Sequence, residues 1–221
     1  MAIARFKDVC LDAVDASRLG GFWAQVLDLQ WQAQDNGDGW LSGATAQHTI
    51  WINQVPEPIT VKNRVHFDIY ATSLASLEEL GARIVAPYPG WTVMSDPEGT
   101  QFCAFLRDEL PADRLHGLVV DSTDPLTIAR WWAGVYDAPV ELDPHGWATI
   151  EKTPGLPILT MDFNPVTEPK TVKNRIHWDV AVADLAPLLD AGATLVRAKD
   201  AEIGWHILAD PEGNEFCAFI D

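Results

Sequence analysis

A histidine and an aspartate stand two residues apart at two places in this sequence. His66 and Asp68 lie in VKNRVHFDIY, and His177 and Asp179 lie in VKNRIHWDVA. Because alternate residues of a strand point to the same side, each pair sets an imidazole beside a carboxylate. A neighbouring carboxylate orients a histidine and raises its pKa, as in sites of general acid–base catalysis. The structural alternative is a hydrogen bond that satisfies two half-buried polar groups.

A thiol recurs in a second repeated string, DPEGTQFCAF and DPEGNEFCAF. The thiols are Cys103 and Cys217, and a third cysteine, Cys10, stands near the start. Thiolate and imidazole both suit zinc, so a metal site is one interpretation. The other is a buried core strand, because the flanking residues are apolar and cysteine often packs as a small hydrophobe. Three cysteines without a dense framework predict free, reduced thiols.

Cations and aromatic residues flank these strings. The Lys-Asn-Arg segments 62–64 and 173–175 either clamp a carboxylate or phosphate of a ligand or pair with local acids. Tyr70 follows Asp68 on the same side of the strand. Four tryptophans in Gly-Trp pairs either edge the core or line a cavity mouth, where flat rings bind planar or cationic ligands. They are Trp40, Trp91, Trp147 and Trp205.

These residues are positioned by a duplicated framework, which the repeated strings reveal. The same helical spacing of apolar residues occurs twice and predicts a helix over 16–28 and a second one in the other half. The residues are Leu19, Phe22, Trp23, Val26 and Leu27, then Ile128, Trp131, Trp132, Val135 and Tyr136. Asp15 and Asp124 precede the helices as N-caps. We therefore predict two homologous domains, residues 1–108 and 114–221, joined by a charged linker.

Each half is itself predicted to contain two smaller units. In the first half, the strands VCLDA, GWLSG and HTIWINQV are followed by RVHFDIYA, RIVAP, GWTVMS and QFCAFL, with a short helix LASLEELGA between them. The Asp-Pro-x-Gly strings fit type I turns before the last strands. Four βαβββ units in a row predict an α+β fold whose antiparallel or mixed sheets curve to bury one face.

Paired βαβββ units with an Asp-Pro-x-Gly turn before the last strand resemble the vicinal oxygen chelate superfamily. That superfamily includes glyoxalase I, extradiol dioxygenases, fosfomycin resistance enzymes and bleomycin-binding proteins. The resemblance covers nearly the whole chain and is most specific in VKNRVHFDI, VKNRIHWDV and the two DPEG strings. It implies tandem glyoxalase-like domains, in which paired units form a cup-shaped sheet around a cavity.

The resemblance also implies positions for metal ligands. The family's histidine falls on His66 and His177, whereas its glutamate falls on Cys103 and Cys217, a departure from carboxylate to thiol. A third position falls near Asp8 or Cys10 in one half and near Gly117 or Val119 in the other. A fourth falls near Trp51 and Asp162. A divalent ion would then be held by Asp8, His66 and Cys103, or by Asp162, His177 and Cys217.

The formal charge of −17 on 221 residues argues against nucleic acid or an anionic membrane as a partner. No signal peptide or long apolar run is visible, so we expect a cytoplasmic protein. The preferred interpretation is metal-independent binding of a small organic molecule, with aromatic compounds among the candidates. The alternatives are a divalent-metal lyase, isomerase or dioxygenase, and a metal-free enzyme whose catalytic groups are His177, Asp179, His66 and Asp68. The chain is expected as a monomer with pseudo-dimeric domains or as a homodimer.

Overall fold

The computed structural model describes residues 1–44, 48–151, 153–156 and 160–221. The first half contains β1 Ala4–Ala13, α1 Ala16–Leu27, β2 Gln30–Ala33, β3 Gly39–Ser42, β4 Ile50–Gln54, β5 Val65–Ala71, α2 Leu74–Glu79, β6 Arg83–Tyr88, β7 Trp91–Ser95 and β8 Gln101–Leu106. The second half contains β9 Leu115–Ser122, α3 Pro125–Tyr136, β10 Val140–Leu142, β11 Ala148–Glu151, β12 Thr160–Pro165, β13 Ile176–Val182, α4 Ala186–Asp190, β14 Thr194–Arg197, β15 His206–Ala209 and β16 Glu215–Ile220. The predicted α+β class and the repeat of four βαβββ units are confirmed.

The strands form two eight-stranded mixed sheets, and each sheet takes one unit from each half. Sheet 1 has the order β14-β15-β16-β13-β1-β4-β3-β2, and sheet 2 has the order β10-β11-β12-β9-β5-β8-β7-β6. The halves meet at two antiparallel pairs, β1 with β13 and β5 with β9. Each curved sheet is therefore shared between the halves.

The hydrophobic core lies between the sheets and around the two long helices. Trp23 of α1 packs edge-on against Phe67 of β5 and Phe102 of β8, with ring centroids 5.2 Å apart in both cases. Trp132 of α3 makes the equivalent contact with Trp178 of β13, at 4.9 Å. Because the core-facing residues alternate with others along each strand, the opposite face of each sheet is left to form a cup. Cup 1 is this face of sheet 1, and cup 2 is this face of sheet 2.

The local predictions for the helices are confirmed, whereas the edge strands β2 and β10 were missed. Asp15 and Asp124 cap α1 and α3 by accepting hydrogen bonds from Arg18 N and Thr127 N. Strand β2, the sequence QWQA, is mostly exposed and has one partly buried apolar residue, Trp31. A short edge strand with a single apolar anchor lacks the alternation on which strand prediction depends.

The repeated Lys-Asn-Arg segments form ion pairs and hydrogen bonds that connect the two halves. Lys62 Nζ lies 2.5 Å from Asp121 Oδ2, and Lys173 makes the equivalent ion pair with Asp12. Arg64 Nη1 donates to the backbone oxygen of Asp121 at 3.1 Å. The segments line a cleft of about 580 Å³ between the halves. Of the two interpretations of these cations, pairing with acids is the one seen, and the acids belong to the other half.

Within the described residues, no helix has the length and apolar character needed to cross a membrane.

Candidate functional site

Cup 2 gathers the candidate residues of strands β5 and β8 with residues of the other half. His66, Asp68 and Tyr70 alternate with the buried core residues of β5. Cys103 pairs with Asp68 in the parallel β5–β8 register. On the other flank, His66 lies opposite Val119 of β9, and Asp162 of β12 pairs with that same valine. The predicted same-side placement of the histidine and aspartate is thus seen in the structure.

An imidazole, a carboxylate and a thiol form a tight cluster on the floor of cup 2. His66 Nε2 lies 3.6 Å from Asp68 Oδ1 and 3.6 Å from Cys103 Sγ. The ligating atoms of the three residues all lie within 4.8 Å of one another. The Asp68 Oδ1 atom is buried, and none of the residues that the structure describes forms a hydrogen bond with it. The arrangement brings the three groups together without the short His–Asp hydrogen bond that the structural interpretation expected.

Burial holds this cluster close to neutral. It lowers the pKa of His66 to about 4, because the imidazolium form would lose its hydration. It raises the pKa of Asp68 to about 7, and the nearby Asp162 carboxylate adds to the increase. Burial also raises the pKa of the Cys103 thiol. The pKa of His66 is thus lowered overall, because desolvation outweighs the Asp121 carboxylate, which raises it.

A second carboxyl group, Asp162, lies beside this cluster and is held by two hydroxyls. Thr149 Oγ1 and Thr160 Oγ1 each donate to it at 2.6 Å, one to each oxygen. Between the two acids stands Gly117, where an added Cβ would lie 3.1 Å from Asp68 Cβ and 3.4 Å from Asp162 Oδ2. The glycine thus leaves room for two carboxyl groups on the floor of one cup.

Aromatic rings close over the mouth of cup 2. Trp91 of β7 contacts Trp147, next to β11, at a centroid distance of 6.4 Å. These strands are five places apart in sheet 2, which would separate them by roughly 24 Å in a flat sheet. Their contact therefore shows that the sheet curves until its flanks meet. We call this group of rings the aromatic roof, and other rings belong to it. Tyr88 and Phe105 stack on Trp91, and His116 contacts both Phe105 and Tyr70.

Cup 1 has a similar cluster, but its thiol comes from the first strand, β1, and not from the last strand of a unit. The ligating atoms of Cys10, His177 and Asp179 lie within 4.8 Å of one another, and Cys10 Sγ lies 3.6 Å from Asp179 Oδ1. Burial lowers the pKa of His177 to about 4 and raises that of Asp179 to about 7, the latter opposed by Lys7. Cys217 pairs with Asp179 in the register of β13 and β16.

The tryptophans of cup 1 pack within their own flanks. Trp40 contacts Trp51 at 5.4 Å, and Trp205 stacks on Phe219 at 5.5 Å. Trp51 Nε1 lies 3.4 Å from Asp8 Oδ2. All four Gly-Trp tryptophans thus make aromatic contacts, but those of cup 2 bridge its two flanks.

The structure regroups the residues of the two predicted metal sets. Asp8 belongs to sheet 1 and His66 to sheet 2, so Asp8, His66 and Cys103 do not meet. Asp162 likewise lies in sheet 2, apart from His177 and Cys217. The sets were drawn from single halves, whereas each cup combines both.

Sequence reasoning also missed residues that the cups use. Phe105 has the same strand periodicity as Cys103 and was open to prediction from it. His116 lies where the β5–β9 register shifts between Asp68 and Ile69, and such an irregularity leaves no clear sequence signal.

The four positions that the family resemblance implies give no complete donor set in either cup. In cup 1, Trp51 has only an indole N–H, which donates and cannot ligate. In cup 2, Gly117 has no side chain, and Val119 has an apolar one. The three-residue cluster of each cup is a different set, and its nitrogen, oxygen and sulfur donors have the chemistry that zinc accepts.

The sequence and the fold were compared with known proteins. The family model of the glyoxalase-like domain matches residues 8–105 and again residues 117–219. Glyoxalase I from Zea mays matches with a TM-score of 0.69 at 12% identity, covering 97% of this chain and 92% of that one. The cppA protein from Streptococcus pneumoniae TIGR4 matches with a TM-score of 0.54 at 13% identity, covering 99% and 98%.

At these identities the structural matches show a shared fold and nothing about the reaction. A comparison with curated proteins finds no match. The family model covers most of the sequence in two copies, and both sheets have the expected cup architecture. The chain therefore belongs to the glyoxalase-like domain family and has two such domains in tandem.

Proposed function

We propose that cup 2 binds a small organic molecule with a planar aromatic group, and that it does so without a metal ion. The observation that carries the proposal is the aromatic roof, whose rings come from both flanks of sheet 2 and meet above a polar floor. Trp147 is 41% and Tyr88 51% exposed, so a ligand can reach the rings from solvent. Stacked rings contribute about 0.5–1.5 kcal/mol per pair beyond their buried area.

The floor supplies polar groups that would orient such a molecule. Neutral His66 offers one nitrogen as donor and one as acceptor. Asp68, with a pKa of about 7, is present in both protonation states near neutral pH and can donate or accept. If the bound molecule is also transformed, Asp68 and not His66 is the group suited to carry a proton at neutral pH.

Tryptophan fluorescence tests the binding proposal directly. We expect a panel of planar aromatic compounds to contain members that quench the fluorescence saturably. Trp147→Ala should weaken the binding of such a member about tenfold, since about 1–1.5 kcal/mol of stacking is lost. Trp40→Ala, at the equivalent position in cup 1, is the matched control and should leave the affinity unchanged. Equal weakening in both variants, or no saturable quenching by any compound, would refute a site in cup 2.

A second candidate function is divalent-metal chemistry, which the close donor clusters favour. His66, Asp68 and Cys103 would hold one ion, and Cys10, His177 and Asp179 would hold another. A bound zinc ion acts as a Lewis acid and lowers the pKa of a bound water. Elemental mass spectrometry of protein purified without chelators or a histidine tag, before and after incubation with zinc, tests this candidate. Two ions per chain, falling to one in His66→Ala, would support it, whereas zinc content that His66→Ala leaves unchanged would not.

A further inference from the structure

Cup 1 contains a cation of its own. Lys7 forms an ion pair with Asp8 through Oδ2, and its ammonium lies 4.5 Å from the centre of the Phe219 ring. The lysine stands where the β1–β13 register shifts between Phe6 and Val9, so a β-bulge directs it toward the cup. Cup 1 thus places a positive charge between a carboxylate and an aromatic face.

The repeat identifies the equivalent places in cup 2. Along the strands β1 and β9, His116 corresponds to Lys7 and Gly117 to Asp8. Lys7 and His116 each lie at a shift of register with the neighbouring strand of the other half. Phe105 corresponds to Phe219 in the repeated FCAF strings. The aromatic face is therefore retained in cup 2, whereas the lysine is replaced by an imidazole.

The carboxylate is retained as well, on a different strand. Asp162 of β12 corresponds to Trp51 of β4, since each pairs with the equivalent residue of the neighbouring strand, Val119 or Cys10. The carboxylate that faces the cluster is therefore Asp8 on β1 in cup 1 and Asp162 on β12 in cup 2. Cup 2 has no positive charge at the position of Lys7. His116 stands there, and burial lowers the pKa of its imidazole to about 4, which leaves it neutral.

The acids of the two cups have different electrostatic surroundings. In cup 1 burial raises the pKa of Asp179, the Lys7 ammonium opposes this increase, and Asp8 adds to it. In cup 2 the charge that acts on Asp68 is the Asp162 carboxylate, which raises its pKa. A cation near both acids would relieve this repulsion, whereas an anionic ligand would increase it.

We propose that the ligand of cup 2 is an organic cation, an amine or quaternary ammonium joined to a planar group. Its positive charge would supply what the Lys7 ammonium supplies in cup 1, near the Asp162 carboxylate and the Phe105 ring, with the neutral His116 imidazole beside it. This inference rests on the proposed function and specifies its ligand class. Arg107 already lies 4.8 Å over the Tyr70 ring, so the ligand cation is assigned to the Phe105 side of the roof.

Three probes with the same ring and two-carbon chain, but with head groups of different charge, test the inference. Phenethylamine, phenethyl alcohol and hydrocinnamate carry one ring and a short chain that ends in a cation, a neutral group or an anion. We expect the amine to bind on the order of tenfold more tightly than the alcohol, equivalent to about 1.4 kcal/mol, and the anion to bind most weakly. Affinities are measured by tryptophan fluorescence and calorimetry at pH 8.

The outcomes separate this inference from the proposed function. Equal binding of the amine and the alcohol, both weakened by Trp147→Ala, would overturn the cation class and leave aromatic binding in place. Tighter binding of the anion would overturn it too. No binding of any probe up to tens of millimolar would contradict both proposals.

Variants of the two cups provide a second test. Asp162→Asn should lower the affinity for the amine to that for the alcohol and leave the alcohol unaffected. Asp35→Asn, an exposed acid in a turn of sheet 1, makes the same change in net charge and should have no effect.

Exchanging the residues at the bulges tests the equivalence of the cups. His116→Lys tethers an ammonium in cup 2 and should abolish amine binding there. Lys7→Met should open cup 1 and raise the stoichiometry of the amine from one to two. An unchanged affinity in the first variant, or an unchanged stoichiometry in the second, would contradict the equivalence on which the inference depends.

Discussion

At the scale of single residues, burial decides which groups of the cups carry protons. His66 and His177 both have a pKa of about 4, and Asp68 and Asp179 both have a pKa of about 7. The sequence places imidazole beside carboxylate, a pattern that in water favours the charged pair. In these sheets each group is desolvated, and the neutral forms are favoured instead. The carboxyl groups, not the imidazoles, are therefore poised to titrate near neutral pH.

A buried acid of the first DPEG turn gives a prediction for stability. Asp96 Oδ1 accepts hydrogen bonds from Glu98 N and Thr100 N, whereas Oδ2 is buried and has no partner among the described parts of the chain. Burial raises the pKa of Asp96 to about 6. The folded state therefore holds this proton where the unfolded chain has lost it, and the free energy of unfolding falls as pH rises from about 4 to about 6.

Asp96→Asn should remove this loss. We expect the variant to be more stable than the wild type at pH 7, by roughly 2 kcal/mol, and to differ little from it at pH 4. Urea denaturation at the two pH values measures the difference.

Asp210 of the second DPEG turn is the matched control. Its Oδ2 accepts a hydrogen bond from Trp132 Nε1 at 3.0 Å, while Oδ1 accepts from the turn backbone. An amide cannot accept on both sides, so Asp210→Asn should cost about 1–3 kcal/mol at pH 7. Equal losses in the two variants at pH 7 would show that desolvation of Asp96 does not limit stability.

At the scale of elements, the halves fill one helix–strand contact with different pairs of side chains. Gly20 of α1 faces Trp31 of β2, and an added Cβ at Gly20 would lie 2.3 Å from Trp31 Cε3. In the other half, Ala129 and Val140 stand at the corresponding positions. A small residue therefore accompanies a large one in the first half, and intermediate sizes meet in the second, as close packing requires.

Two neighbouring glycines of α1 give opposite predictions. Gly20→Ala should destabilise the protein by about 1–3 kcal/mol, because its methyl group collides with the Trp31 ring. At Gly21 an added methyl group meets no atom of the described residues within 4 Å, so Gly21→Ala should stabilise the protein by about 0.5–1 kcal/mol, since alanine favours helix. Thermal denaturation measures both changes. Trp31→Val in the Gly20→Ala background should recover part of the loss, and stabilisation by Gly20→Ala alone would contradict this packing.

Much of the element scale was predictable from the sequence because its causes are local. The helical spacing of Leu19 to Leu27 and the cap at Asp15 placed α1, and the alternation in VHFDIY placed His66 and Asp68 on one side. The strand β2 was not predicted, since its position depends on Trp31 fitting between Gly20 and Gly39, which is a tertiary contact.

At the scale of the whole molecule, the pairing of units could not be read from the sequence. Strand β1 pairs with β13, yet β5 offers nearly the same residues, VHFDI against IHWDV. Strands pair through backbone hydrogen bonds, which carry little sequence information when two candidate partners are alike. The two predicted metal sets joined Asp8 to His66 and Asp162 to His177 for this reason.

The crossed pairing predicts how separated halves should behave. In a fragment of residues 1–110, α1 still lies between two four-stranded sheets, but β1 and β5 have lost their partner strands. In a fragment of residues 111–221, β9 and β13 have lost theirs. Each half then exposes two central strands as unpaired edges, together with one acid of a Lys–Asp ion pair, Asp12 or Asp121. Such edges are templates for association.

We therefore expect each half alone to form dimers or aggregates and the co-expressed halves to form a 1:1 complex of about the intact mass of 24.4 kDa. Size-exclusion chromatography with light scattering measures both. The intact chain should elute as a monomer, because its own second half satisfies the edges through which separate domains would associate. Stable monomers of either half at micromolar concentration would show that the cups need no shared sheet. If the Lys–Asp ion pairs stabilise the 1:1 complex, replacing both Lys62 and Lys173 with Met should weaken it.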